Sequence, residues 1–399
     1  MQHYDWGTQG SEAYIPSLLG FDPVAGVPYA ELWMGAHPKA PSFLLVDDDE
    51  VALDQWIAAH PQDLLGTYVS ERFGGRLPFL LKVLSAGEVL SIQAHPNKMQ
   101  AERLHAKDPE HYPDDNHKPE IAIALDSLNA LIGVRPCSEL AEALQRYPEI
   151  AGFVGSEVSN HITHARLPTS ETEVDQIRKL FKALFIKAVD EPQVLNQAIN
   201  NLANRLERQA AQLSETEQLF LELRQRYTGP DIGLITLFLL NRVHLAEGDG
   251  MFAPAGTPHA YLKGNIIECM ANSDNVVRVG LTSKFKDTSA LIEILQYEPI
   301  PVQLLHADPA SKEVIYHTSA QEFQVSRWRL DKNSERQVSS RNRPEILIIT
   351  QGEVSVSWSG GMQPYHRGES MFIPAKLSSY TLGATQGSEV FRAAVPDET

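Results

Sequence analysis

Hydrophobic and polar positions alternate along the first third of the chain, up to about residue 135. The clearest segments are "PSFLLV", "PFLLKVLS", "VLSIQAH" and "PEIAIAL". A period of two is typical of strands with one buried face, and the turn-forming residues between the segments favour short connections. This region is therefore predicted to consist of β-strands.

The pattern changes to a helical period between residues 136 and 243. Apolar residues recur every three or four positions in two stripes, which are expected to face a core: Val174, Ile177, Leu180, Phe181, Leu184 and Phe185, then Leu195, Ile199, Leu202 and Leu206. The segment "SETE", from Ser214 to Glu217, has the spacing of a helix capping box. We predict a helical domain inserted into a β-protein.

Strand patterns return after residue 243 and contain an internal repeat. The segment "GDGMFAPAGTPHAY" at 248–261 is similar to "GESMFIPAKLSSY" at 368–380, which indicates two related β-units. The predicted fold is mainly β, with an inserted α-helical domain. Its expected divisions are 1–135 and 244–305 for the two parts of the first β-unit, 136–243 for the helices and 306–399 for the second β-unit.

Composition and charge restrict the possible partners. The chain has 399 residues, 43% of them hydrophobic, and a formal net charge of −17. This charge argues against nucleic acid and anionic membranes as partners, and an anionic small ligand would need a local basic pocket. Cys137 and Cys269 form no CxxC pair, and the N-terminus resembles no secretory signal. A cytoplasmic protein without transmembrane segments is therefore expected.

Four residues could ligate a divalent metal. In the strand "SIQAH", positions Ser91, Gln93 and His95 share one face. Glu120 opens the apolar strand "EIAIAL", where an unpaired carboxylate would be costly to bury. His259 aligns with Ser379 in the repeat. Two imidazoles, a carboxylate and an amide oxygen suit zinc or another first-row metal. The alternative interpretation is that these are ordinary polar residues of edge strands.

A basic cluster lies in "DNVVRVGLTSKFKD". Arg278 is a permanent charge in an apolar strand, and Lys284 and a second lysine follow after a turn. Glu268 lies just upstream in another apolar run. Two hypotheses remain open here: a structural Arg–Glu pair, or a pocket for an anion and for proton transfer. Lys82 and Lys118 are further lysines in nearly apolar settings.

Several long segments together resemble type I phosphomannose isomerases. They are "QHYDWG", "LPFLLKVLSAGEVLSIQAHPNK", "YPDDNHKPEIAIAL" and "PAGTPHAYLKGNIIECMANSDNVVRVGLTSKFKD", spread over residues 2–287. The resemblance implies two cupin-type (jelly-roll) β-barrels, the second without metal ligands. It also implies an enzyme with one Zn²⁺ per chain that interconverts mannose 6-phosphate and fructose 6-phosphate through a cis-enediol.

The family motifs assign roles to individual residues. The "QAH" motif implies Gln93 and His95 as zinc ligands, "HKPE" implies Glu120, and "PAGTPHAY" implies His259. The "DNVVR" motif implies Arg278 as a catalytic residue.

Four further residues are expected to line the substrate pocket: Ser91, Lys118, Glu268 and Lys284. The expected partner is a small phosphosugar, and a monomer is expected. Two rival functions remain, an iron-dependent cupin oxygenase and a non-catalytic sugar-phosphate-binding double cupin. Gln93 and the lysine-rich pocket argue against the oxygenase.

Overall fold

The computed structural model describes residues 1–46, 49–163, 170–209, 212–299 and 304–397. A short 3₁₀ helix spans Gly10–Glu12. The α-helices are α1 (Tyr14–Leu19), α2 (Leu53–Ala59), α3 (Pro61–Arg72), α4 (Lys98–Lys107), α5 (Cys137–Arg146), α6 (Pro148–Val154), α7 (Ser156–Thr163), α8 (Ser170–Asp190), α9 (Pro192–Glu207), α10 (Glu215–Arg226), α11 (Gly233–Thr236) and α12 (Thr288–Ile294). In these ranges no helix is long and apolar enough to cross a membrane.

The strands are β1 (Glu31–Gly35), β2 (Phe43–Val46), β3 (Asp49–Ala52), β4 (Phe79–Ala86), β5 (Ile92–Ala94), β6 (Glu120–Ala124), β7 (Leu128–Val134), β8 (Leu240–Leu245), β9 (Gly250–Ala253), β10 (His259–Ala271), β11 (Val277–Gly280), β12 (Leu304–Leu305), β13 (Glu313–Tyr316), β14 (Gln324–Leu330), β15 (Ser334–Ser339), β16 (Glu345–Gln351), β17 (Glu353–Trp358), β18 (Gly361–His366), β19 (Ser370–Ile373), β20 (Ser379–Ala384) and β21 (Ser388–Ala394).

The long strand β10 joins the two layers of the first β-unit. Its first half pairs with β5 and β7, and its second half pairs with β4 and β6. Gly264 lies between the halves with a φ of 142°, and a Cβ there would come within 2.3 Å of the Ser127 carbonyl oxygen. A larger residue would therefore prevent this close crossing. The layers enclose an apolar cluster that includes Ala122, Tyr261 and Ile266.

The helices α5 to α11 lie between β7 and β8, as the change in period predicted. Both apolar stripes are in one core, which also covers the outer face of β5 and β11 through Ile92, Ala94, Val277 and Val279. The predicted capping box is confirmed at α10, where Ser214 and Glu217 cap each other's backbone N–H groups. The helical block therefore covers the outer side of the layer that contains β5 and β11.

The second β-unit consists of a five-stranded and a four-stranded sheet. Its inner faces enclose a separate core that includes Trp328 and Leu382. Its five-stranded sheet shares another core with the first unit, where Ile121 and Ile123 pack near Ile346 and Ile348. The two β-units are thus joined back to back.

Two fold expectations need correction. Helices and strands take similar shares of the described residues, so the fold is mixed rather than mainly β. The sequence pattern did not predict the helices outside the insertion, α1 to α4 and α12, because their apolar stripes are short. In the described ranges the strand orders also have free ends and close no ring of hydrogen bonds, so the units are double layers.

The internal repeat corresponds to equivalent positions in the two units. Glu120 pairs with Ala253 of β9, and Glu345 pairs with Ile373 of β19, the matching position of the repeat. Glu345 is fully buried, accepts a 2.6 Å hydrogen bond from the Tyr380 hydroxyl and forms an ion pair with Arg392. In the second unit a guanidinium therefore neutralises the carboxylate.

Candidate metal centre and substrate pocket

Three buried side chains converge inside the first β-unit. His95, Glu120 and His259 are each about 1% exposed, and each offers a ligand atom within 4.8 Å of the others. The His259 Nε2 atom lies 2.7 Å from Glu120 Oε1, and the His95 Nε2 atom lies 3.5 Å from Glu120 Oε2. The structure therefore brings together three of the four predicted ligands.

Strand register places the fourth predicted ligand beside them. Gln93 of β5 pairs directly with His259 at the start of β10. On its other side Gln93 pairs with Arg278 of β11. Directly opposed residues project from the same face of a sheet. Gln93 and Arg278 therefore project toward the same interior as His259.

The backbone fixes both imidazoles with a lone pair toward the carboxylate. His95 Nδ1 donates to the Asn275 carbonyl oxygen at 2.7 Å, and His259 Nδ1 donates to the Thr257 carbonyl oxygen at 2.9 Å. The two Nε2 atoms and Glu120 Oε2 have no hydrogen-bond partner although they are buried. Three acceptors face one another, which is unfavourable unless a cation lies between them. The residues thus fit a divalent metal.

The pKa values of the cluster reflect the same crowding. Burial, reinforced by the Lys118 charge, lowers the pKa of His95 to about 4. For His259, burial is the largest influence and lowers the pKa, but the charge and hydrogen bond of Glu120 together with the Thr257 carbonyl outweigh it, so the pKa is raised. Burial also opposes ionisation of Glu120, yet Lys118 and the two imidazoles hold its pKa well below the usual range. Glu120 is therefore the anionic centre of the cluster.

Lys118 is close to the cluster. Its ammonium lies 3.2 Å from Glu120 Oε2, and its side chain is about 9% exposed. It therefore contacts the predicted ligand carboxylate directly, and this places it at the edge of the predicted pocket.

Glu268 pairs with a lysine rather than with Arg278. Lys82 of β4 pairs with Glu268 of β10 in the sheet register, and the Lys82 Nζ atom lies 2.8 Å from Glu268 Oε2. Tyr261 donates to Glu268 Oε1 at 3.0 Å and also contacts Glu120 Oε1 at 3.4 Å. The hypothesis of a structural Arg278–Glu268 pair is therefore wrong, because the register of β4 and β10 places Glu268 opposite Lys82.

Arg278 is half-buried, and among the described residues it has no acceptor within hydrogen-bonding distance. Burial lowers the pKa of its guanidinium. A partly desolvated cation without a protein acceptor is suited to binding an anionic group from outside.

Lys284 lies farther out than the other predicted pocket residues. Its side chain is exposed, and Nζ lies 6.0 Å from the ring centre of Tyr4. Tyr4 belongs to the "QHYDWG" segment, and burial together with the Glu31 carboxylate raises its pKa. Ser91 is half-buried just before β5. Lys284 is therefore the exposed member of the predicted pocket residues, whereas Ser91 lies two residues before the predicted ligand Gln93.

Comparison with known proteins assigns the family. Residues 1–137 match the family model for the catalytic domain of type I phosphomannose isomerase. The chain is 39% identical over 415 residues to the human mannose-6-phosphate isomerase, covering 98% of this chain and 96% of the relative. The Bos taurus enzyme is similarly 39% identical over 414 residues, with the same coverage. This chain belongs to the mannose-6-phosphate isomerase family.

A solved member of the mannose-6-phosphate isomerase family has the same architecture. A holo, zinc-bound mannose 6-phosphate isomerase superposes with a TM-score of 0.81 at 32% identity, covering 99% of this chain and 97% of that one. The overall arrangement of sheets and helices described above is therefore that of the family.

Three residues at this family site were missed in the sequence. Tyr261 could have been found, because it lies two positions after His259 on the same strand face. Asn275, which orients His95 through its backbone, gave no side-chain signal. The third is Glu31, whose Oε1 atom lies 3.9 Å from the Lys82 ammonium and which carries no recognisable motif.

Proposed function

We propose that this chain interconverts D-mannose 6-phosphate and D-fructose 6-phosphate as a zinc-dependent aldose–ketose isomerase. The observation that carries the proposal is the buried cluster of His95, Glu120 and His259, whose acceptors face one another, in a chain 39% identical to mannose-6-phosphate isomerases over nearly its full length. Neither an oxygenase nor a non-catalytic binding protein is favoured by any feature of the described residues.

Zinc would be held by Gln93, His95, Glu120 and His259. When bound, it supplies a Lewis acid for the oxygens of the open-chain sugar. The register that places Gln93 opposite His259 supports the inclusion of the amide oxygen. The carbonyl groups that accept from both Nδ1 atoms keep the imidazoles oriented for metal binding.

Arg278 and Glu268 are the residues that we assign to the chemistry. Arg278 faces the same interior as Gln93, and its guanidinium has no acceptor among the described residues, so it can stabilise the negative oxygens of the enediolate. Glu268 is an interior carboxylate outside the proposed set of metal ligands, and its Oε2 atom lies 2.8 Å from the Lys82 ammonium. We assign it the transfer of the proton between C1 and C2.

The remaining predicted residues serve substrate binding in this proposal. Arg278, Lys118 and Lys284 supply local positive charge in a chain whose net charge is −17. A sugar phosphate carries nearly two negative charges at neutral pH, since its second pKa is about 6. Ser91 offers a hydroxyl near Gln93. All the residues proposed for the site come from one chain, so a monomer, the expected state, is sufficient for it. Both cysteines are free and buried, in keeping with a reducing, cytoplasmic setting.

The domain division follows the same proposal. Residues 1–135 and 244–305 form a catalytic cupin-like double layer, 136–243 form the helical insertion, and 306–399 form a second cupin-like double layer without metal ligands. The ion pair of Glu345 and Arg392 at the position equivalent to Glu120 supports this division. Metal analysis of the purified protein should therefore give one zinc per chain, and two would contradict it.

The decisive experiment is a coupled assay with mannose 6-phosphate, run on the zinc-loaded protein, after chelation and after zinc is restored. We expect turnover that is lost and recovered with the metal. Absence of turnover in the zinc-loaded protein would refute the proposed function. Full turnover after complete metal removal would refute the role of zinc. Dioxygen consumption measured in parallel tests the oxygenase hypothesis.

A further inference from the structure

The turn that follows the Arg278 strand is held by the helical insertion. β11 ends at Gly280, and residues 281–287 continue as a segment that we call the basic loop, because it contains Lys284 and Lys286. A Cβ on Gly280 would lie 2.3 Å from the Gly233 nitrogen. The backbone of the turn therefore touches the start of α11, with no side chain between them.

Asp231 is the main contact of this turn. Its side chain is about 9% exposed. Its Oδ1 atom accepts from the Gly233 and Leu281 amides at 2.7 and 2.8 Å, and Oδ2 accepts from the Thr282 amide at 3.4 Å. The Lys286 ammonium lies 3.7 Å from Oδ2. One carboxylate thus connects the helical insertion to both the backbone and a charge of the basic loop.

A second residue, Tyr227, holds the same turn, and we call Asp231 and Tyr227 together the clamp. Tyr227, at the end of α10, donates from its hydroxyl to the Leu281 carbonyl oxygen at 2.7 Å. Leu281 has a φ of 56°, in the left-handed region that side chains other than glycine rarely adopt. Such a conformation persists where the surroundings hold it. Asp231 and Tyr227 bind the amide and the carbonyl of this same residue.

The clamp lies between two parts of the predicted pocket. The turn held by the clamp comprises residues 280–282. Arg278 lies two residues before it, and Lys284 lies two residues after it. Arg278 is also held by its pairing with Gln93 in the sheet, so a shift of the turn would mainly displace Lys284 and the rest of the basic loop. Neither Asp231 nor Tyr227 lies in the first β-unit.

We infer that Asp231 is a positioning residue that sets the basic loop for the phosphate group of the substrate. The inference rests on the proposed function, because it takes the phosphosugar as the ligand. The phosphate keeps nearly the same charge in the ground and transition states, so a misplaced loop weakens binding of both states alike. Loss of the clamp should therefore raise KM more than it lowers kcat.

The test compares Asp231→Asn with the wild type and with Asp175→Asn. Asp175 is exposed on α8 of the same insertion, and within the described residues its ion pair is with Arg178, so it is a matched control. For Asp231→Asn we expect KM for mannose 6-phosphate to rise about tenfold or more, the scale of one charge-assisted hydrogen bond, with kcat within about threefold. Zinc content should not change, and the control should behave as the wild type.

Binding of inorganic phosphate, followed by calorimetry, gives a readout that does not depend on turnover. Its dissociation constant should rise by a similar factor in Asp231→Asn. If the wild type binds phosphate but does not isomerise the sugar, the proposed function fails while the clamp is still tested. Unchanged KM and phosphate affinity would overturn the inference, and so would a fall in kcat at constant KM.

A milder variant keeps the inference testable if Asp231→Asn does not fold. Tyr227→Phe removes only the hydroxyl that donates to Leu281 and keeps the ring in place. We expect its KM and its phosphate dissociation constant to rise together by about threefold or more, since one neutral hydrogen bond is lost. No change in either constant would overturn the clamp.

Discussion

Replacing Lys82 by methionine tests the buried charges beside the metal centre most directly. Methionine keeps the length and the apolar stem of the side chain but removes the only cation within 4.0 Å of Glu268 in the described chain. Glu31, whose Oε1 atom lies 3.9 Å from the same ammonium, also loses it. Two interior carboxylates would then remain without a counter-charge.

The size of the effect follows from burial and distance. The side chains of Lys82 and Glu268 are 6% and 4% exposed, so water cannot solvate the remaining carboxylate. At the separation of 2.8 Å the attraction amounts to about 6 kcal/mol for an effective dielectric constant of about 20. Removing one partner of such a buried pair costs about 3–5 kcal/mol. We expect about 3 kcal/mol, the lower end, because Tyr261 still donates to Glu268.

Urea unfolding of the zinc-loaded protein, followed by tryptophan fluorescence, measures this loss. The Trp33 ring centre lies 5.2 Å from the Lys82 ammonium and reports locally. Lys376→Met is the matched control, because its pair with Asp63 is 62% and 61% exposed and should be worth at most about 1 kcal/mol. The double variant Lys82→Met/Glu268→Gln should recover part of the loss. A loss no larger than that of the control would refute the reasoning.

The other predictions concern the metal ligands and Arg278. Glu120→Gln and His259→Ala should each lose zinc and turnover together, as measured by metal analysis and the coupled assay, whereas alanine at the exposed His244 should change neither. Arg278→Lys should keep zinc but lose about tenfold to ~10³-fold in kcat, because lysine lacks the planar fork for two adjacent oxygens; a rise in KM alone would instead make it a phosphate anchor. Zinc binding near neutral pH should release protons from His259, whose pKa is raised, rather than from His95, whose pKa is about 4. Calorimetry in buffers of different ionisation enthalpy measures this, and no release would contradict it.

Local pattern in the sequence was enough to predict the strands and which residues share a face, but not that both faces of β4 and β6 are buried. Ala122 and Ala124 lie in the interior of the first unit, while Ile121 and Ile123 face the second unit, as the alternation after Glu120 indicates. A period of two needs only neighbouring residues to be seen. The helical stripes and the capping box were predictable for the same reason.

Pairing between distant strands was not predictable from the sequence. Lys82 and Glu268 are opposed only because β4 and β10 have one register, and a shift of one residue would turn each side chain to the other face. The same limit applies to Asp231, which lies in the helical region yet holds the turn after β11. The types of residue at the site can be seen in the sequence, but their partners follow from the folded topology.

The ion pair of Glu345 and Arg392 has a consequence for how the molecule responds to metal starvation. A guanidinium is part of the chain and cannot dissociate, so the interior of the second unit keeps its neutralising cation at any concentration of free metal. In the first unit that cation comes from solution and can leave. In a metal-starved molecule the second unit keeps its charges balanced, whereas Glu120 in the first unit is left with Lys118 and with His259, whose pKa is raised, in place of the metal. We therefore expect a shortage of metal to loosen the first unit, which carries the metal cluster, and to leave the core of the second unit intact.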